Sequence, residues 1–117
     1  MSTSIPSASR TWTVLPLRGD VDLASAPALR QQLADMTEES PSFLIIDVSD
    51  LDFIDSTGLG VLVGTLRRLR GNGGDVRLAA ARPGIARVFS VTGLDRVFAL
   101  YPTVDDAIVD ERQPDTL

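Results

Sequence analysis

The sequence predicts an α/β fold: one domain with a largely parallel or mixed β-sheet of about four to five strands and helices packed against it. Three observations predict it. Strand-like apolar segments alternate with amphipathic helical ones along most of the chain, the signature of successive βα units. One segment, Phe43 to Ile46 followed by Val48, is apolar without interruption, which suits a central strand buried on both faces. Finally, 117 residues, 44% of them hydrophobic and 23% charged, suffice for a single core but not for two.

The elements follow in order. Met1 to Arg10 is serine-rich and expected to be a flexible arm, with the domain over 11–110 and a flexible tail over 111–117. "TWTVLPLRG" reads as a strand ending near Gly19, and Pro16 within it points to an edge or a bulge. "DLASAPALRQQLADM" starts a helix, with Leu29, Leu33 and Met36 at helical spacing and Pro27 in its first turn. "SFLIIDVSDLDF" reads as the central strand. Leu59, Leu62, Val63, Leu66 and Leu69 then form an amphipathic stripe, ended by Gly71 and the Gly73-Gly74 pair. "DVRLAAA" is a further strand, and Pro83 opens a short helix through Val91. "VFALY" is a last strand, and "TVDDAIV" a closing helix capped by Thr103. Trp12 is placed either in the core or on a partner surface, where Trp is enriched.

Composition excludes several functions. A net charge of -5 argues against a nucleic-acid or anionic-membrane binder. All eleven basic residues are arginine, and the cluster Arg67, Arg68, Arg70 reads as a solvated helix face. With no cysteine there is no disulfide or thiolate metal site. With no histidine the commonest general base and metal ligand is missing, so no metal and no cofactor is expected. No apolar run approaches the roughly 20 residues that span a bilayer, and "MSTSIPSASR" is no secretory signal. The cytoplasm is the expected compartment.

The stretch "DFIDSTGLGVL", Asp52 to Leu62, is the chemically distinctive one. A strand ends there in Asp55-Ser56-Thr57-Gly58 and the chain turns at once into a helix. In α/β sheets, function gathers at such strand-to-helix loops. Ser56 has three readings. As an N-cap, its oxygen would accept an orphan backbone N–H. As a nucleophile it lacks a His or Lys base, and "DSTGLG" is not the G-x-S-x-G elbow. As a phosphorylation site it would carry a dianion at a helix start. Gly58 and Gly60 could in principle serve nucleotide binding, but the P-loop lysine and G-x-G-x-x-G are absent, and close helix packing explains glycines equally.

Four blocks resemble one family: "GDVDLASA" (Gly19 to Ala26), "IIDVSDLDFIDSTGLGVL" (Ile45 to Leu62), "GNGGDVRL" (Gly71 to Leu78) and "VFSVTGLDRVF" (Val88 to Phe98). In this order and spacing they are similar to the STAS domain, and within it to the bacterial anti-sigma factor antagonists. The D-S-[ST]-G-L-G segment is the specific part. The resemblance implies a small cytoplasmic protein that is not an enzyme. It binds an anti-sigma factor with serine kinase activity and so frees a sigma factor for transcription. It also implies that the kinase phosphorylates Ser56, with Thr57 the rival acceptor, and that a serine phosphatase reverses this. Asp22 maps onto the family's acidic loop position, and the expected partner surface is Asp20, Asp22, Asp55, Ser56, Thr57, Gly58, Leu59 and Gly60. A monomer or weak dimer is expected. Two departures stand out: the polar arm, where relatives pair an extra strand, and Pro16 in the strand it would join. The alternatives are a STAS subunit of a transporter or stress-signalling complex without a phosphorylation cycle, or a small nucleotide-binding protein.

Overall fold

The structure, a computed structural model, describes residues 11–111. The expected arm, and all but the first residue of the expected tail, lie outside the described residues. The order of elements is β1 (Trp12–Pro16), β2 (Gly19–Val21), α1 (Ala26–Met36), β3 (Phe43–Asp47), β4 (Leu51–Ile54), α2 (Ser56–Gly71), β5 (Asp75–Ala79), α3 (Pro83–Val91), β6 (Ala99–Tyr101) and α4 (Val104–Val109). A 3-10 turn, Leu94–Arg96, leads into β6.

This is the α/β domain that the alternation of segments predicts. β1, β3, β5 and β6 form one four-stranded sheet in that order, and β2 and β4 form a separate pair. Every pairing among the described residues is parallel. Parallel neighbours require helical crossovers, which α1, α2 and α3 supply. β3 sits inside the sheet, as its unbroken apolar run requires, with Leu44, Ile45 and Ile46 all buried.

Two segments read as single strands are each divided. β1 ends at Pro16, and Gly19, whose φ of +71° is left-handed, redirects the chain into β2. "SFLIIDVSDLDF" splits into β3 and β4 because Asp47 accepts from the Ser49 N–H at 3.0 Å, the side-chain-to-backbone bond of a turn. Pro16, where no ladder donor is available, closes the outermost strand among the described residues. Thr103 caps α4 as expected, accepting from the Asp106 N–H at 3.0 Å.

The sheet has a core on each face. On one side α1, α2 and α3 bury Leu33, Leu62, Leu66, Leu69 and Phe89 against Leu44, Ile46, Val76 and Leu78. On the other, α4 packs Ala107 onto Ile45 and Ala79, flanked by Trp12, Tyr101 and Val104. Arg77 is buried in β5, where its guanidinium lies 4.2 Å from the Trp12 ring centroid. Its Nη1 donates to the carbonyls of Ala107 at 2.5 Å and Asp110 at 2.9 Å, tying α4 to the sheet. Trp12 is therefore half-buried against the second core rather than free on the surface.

Candidate functional site

The β4–α2 junction is organised by Asp55 rather than by Ser56. Asp55 is the N-cap of α2, with extended backbone, and its Oδ1 accepts from the Gly58 N–H at 2.9 Å. Its Oδ2 accepts from the Leu23 N–H at 3.2 Å, across 32 residues of sequence. One carboxylate thus caps the helix and ties down the β2–α1 loop. The N-cap reading of Ser56 is corrected by this geometry. Ser56 is the first helical residue, and its side chain is exposed with no hydrogen-bond partner among the described residues.

The β2–α1 loop is held as tightly. The Asp22 Oδ1 accepts from the N–H groups of Ala24 at 3.0 Å and Ser25 at 3.1 Å, and the Asp22 N–H donates to the Ser25 Oγ at 3.0 Å. The Ser25 hydroxyl also donates to the Asp20 carbonyl at 3.1 Å. Asp22 is therefore a half-buried structural element of the loop, whereas the Asp20 side chain is exposed. The fold brings Asp20, Asp22, Asp55 and Ser56 into one neighbourhood through the β2–β4 pairing, in which Val21 lies opposite Ile54.

The remaining expected surface residues divide by packing. Thr57 is half-buried and Gly60 is exposed. Gly58 and Leu59, also expected on the partner surface, are buried in this chain and face the core. A Cβ on Gly58 would come within 2.6 Å of Val21 Cγ1 and 2.8 Å of Ile54 Cγ1. Packing therefore explains Gly58. It does not explain Gly60, whose Cβ would meet nothing within 4 Å.

Two exposed apolar side chains beside the site were not foreseen: Leu23, 73% exposed, and Phe53, 50% exposed. The signal for Phe53 was present in "LDFI". Two adjacent apolar residues in an extended strand point to opposite faces, so a strand covered on one face only exposes one of them, though the pair alone does not say which.

A family model of the STAS domain matches residues 3–107. The chain belongs to the STAS domain family. Among its relatives, the anti-sigma-B factor antagonist of Bacillus subtilis is 38% identical over 78 residues, covering 67% of this chain and 71% of that protein. The crystal structure of an anti-sigma factor antagonist from Mycobacterium paratuberculosis superposes with a TM-score of 0.75 at 37% identity, covering 87% of this chain and 86% of that one. That of the anti-sigma factor antagonist SpoIIAA in its unphosphorylated form superposes with a TM-score of 0.71 at 26% identity, covering 86% and 87%. The group expected from the D-S-T-G-L-G segment is thus the one its relatives carry: regulatory antagonists, not enzymes. Among the described residues, no helix of this STAS domain is long and apolar enough to cross a membrane.

Proposed function

We propose that this STAS domain is an anti-sigma factor antagonist that works in the cytoplasm. It binds an anti-sigma factor with serine kinase activity, is switched off when that kinase phosphorylates Ser56, and is restored by a serine phosphatase. The observation that carries the reading is the division of labour at the head of α2. Asp55 does the capping, so the Ser56 hydroxyl stands exposed and uncommitted, open to a kinase. Thr57, half-buried, is the poorer acceptor. The relative SpoIIAA described in an unphosphorylated form supports a phosphorylation cycle in the group.

The physics of the switch follows from position. A phosphate adds about -1.5 to -2 charges. The dipole of the 16-residue α2 helix favours an anion at its first turn by about 0.3–1 kcal/mol, while Asp55 and Asp22 oppose it. The fold is left nearly unchanged. At a partner interface, by contrast, a like charge about 4 Å away costs roughly 4 kcal/mol at an effective dielectric near 20, or about a thousandfold in affinity.

The experiment compares wild type, Ser56→Ala and Ser56→Asp. Pull-down from the native cell identifies the partner, and calorimetry with the purified partner measures affinity. Ser56→Ala is expected to bind as wild type, and Ser56→Asp to stay folded and bind far more weakly. Equal affinity of wild type and Ser56→Asp overturns the electrostatic switch, and phosphate found by mass spectrometry only on Thr57 overturns the acceptor assignment.

A further inference from the structure

The β2–β4 pair contains an irregularity beside Ser56. Gly19 lies opposite Leu51, but the next residue, Asp20, lies opposite Phe53, so Asp52 is an extra residue in β4. Strict alternation from buried Leu51 would turn Phe53 inward and Ile54 outward. The bulge reverses this: Ile54 is 5% exposed and Phe53 is 50% exposed. Arg82, the residue before α3, pins the bulge, its Nη2 donating to the Leu51 carbonyl at 2.5 Å and to Asp52 Oδ1 at 3.0 Å.

The phenylalanine turned outward in this way borders a groove of about 390 Å³ between β4 and α3, lined also by Gly84, Ile85 and Val88. Phe53 and Asp55 are two residues apart in extended backbone, so they lie on one side of the strand. Asp20 is the cross-strand neighbour of Phe53. Phe53 thus stands between the groove and two carboxylate-bearing residues, Asp20 across the strand pair and Asp55 two residues on. Asp52 is paired with Arg82, whereas Asp20 has no ion pair among the described residues.

We propose that Phe53 and this groove form a second contact of the anti-sigma factor, receiving an apolar side chain of that partner flanked by basic residues. The inference rests on the partner reading above and extends it from a switch residue to an anchor. Charge selects the occupant: Asp20, exposed beside Phe53 and outside any ion pair among the described residues, attracts a basic partner, while a second copy of this chain, carrying net charge -5, would bring like charge against it. Aromatic side chains, Phe among them, are enriched in the buried cores of interfaces, and a half-exposed Phe beside a groove is suited to that role.

The test uses the full chain and the purified anti-sigma factor recovered by wild type, with affinity read by calorimetry and folding by thermal unfolding. Phe53→Ala is expected to weaken binding at least about tenfold and Phe53→Leu to stay within about threefold of wild type. Gly84→Leu is a second, independent probe. Gly84 lines the groove and a Cβ there meets nothing within 4 Å, so the larger side chain is expected to fill the groove with thermal unfolding unchanged, and at least about tenfold weaker binding is expected. Val91→Ala, at a residue 76% exposed on α3, is expected to change nothing. If Ser56→Asp weakens binding while Phe53→Ala and Gly84→Leu leave it intact, the anchor is overturned and the switch stands. If none of the three changes affinity, the anchor and the electrostatic switch are both overturned. A dimer in sedimentation that Phe53→Ala dissolves, with partner affinity unchanged, assigns the groove to self-association and overturns the proposal.

Discussion

Gly58→Ala tests how the site is held to the fold. An ideal Cβ at Gly58 would stand 2.6 Å from Val21 Cγ1, 2.8 Å from Ile54 Cγ1 and 3.0 Å from the Val21 carbonyl oxygen. Carbon atoms prefer roughly 3.5–4.0 Å, so the helix must move outward by close to 1 Å or two β-branched side chains must leave their rotamers. Neither neighbour has room. Val21 and Ile54 are 3% and 5% exposed, and the Val21 carbonyl also accepts the Asp55 N–H at 3.1 Å. Overpacking of this kind costs about 1–3 kcal/mol, while replacing glycine by alanine in a helix recovers up to about 1 kcal/mol. Gly64→Ala in the same helix isolates the second effect, because its Cβ meets nothing within 4 Å. Gly64→Ala should therefore stabilise by about 1 kcal/mol, and the two variants should differ by about 1–3 kcal/mol. For a domain of this size that is roughly 4–12 °C in melting temperature, measured by circular dichroism and checked by urea titration at constant slope. Equal stability of the two variants would refute the close packing of α2 on the β2–β4 pair.

Three further substitutions, at two residues, probe the charged groups. Asp55→Ala removes both the cap on Gly58 and the tie to Leu23 and should cost about 1–2 kcal/mol in urea unfolding, whereas Asp55→Asn, which keeps an acceptor oxygen, should cost less. Arg77→Met leaves the Ala107 and Asp110 carbonyls without their donor and should cost about 1–3 kcal/mol, with a change in Trp12 fluorescence as the guanidinium leaves its ring and earlier hydrogen exchange in α4.

The features legible in the sequence were those dictated by local chemistry over several turns or several strand residues. The stripe on α2 is one: Leu59, Leu62, Leu66 and Leu69 are all buried, and only Val63 is half-exposed. The apolar run of β3, the proline starts of α1 and α3 and the Thr103 cap are others. The features that were not legible depend on long-range partners. β2 has three residues and β4 four, too few for periodicity, and they exist because they pair with each other. Asp55 and Ser56 are both good capping residues, and composition could not choose between them. The choice is made by tertiary structure: only the Asp55 carboxylate has two oxygens to serve Gly58 on its own helix and Leu23 across the loop. The exposure of Leu23 follows from that bond and from the Asp22 turn, neither of which is visible from a single segment.

That choice also bears on how a modification at this junction can act. Had Ser56 been the cap, a phosphate on its oxygen would replace an acceptor already bonded to the helix, and modification would alter the very bond that starts α2. With Asp55 as cap, the Ser56 oxygen carries no structural bond to lose. The stability of α2 rests instead on its buried face, where Leu62, Leu66 and Leu69 are at most 1% exposed, and burying one such side chain is worth about 1.5–3 kcal/mol. Three of these outweigh several-fold the fraction of a kcal/mol that a phosphate at the helix start adds or removes. A charge change at Ser56 is thereby decoupled from folding, and its full effect falls on whatever surface meets Ser56, Leu23 and Asp20.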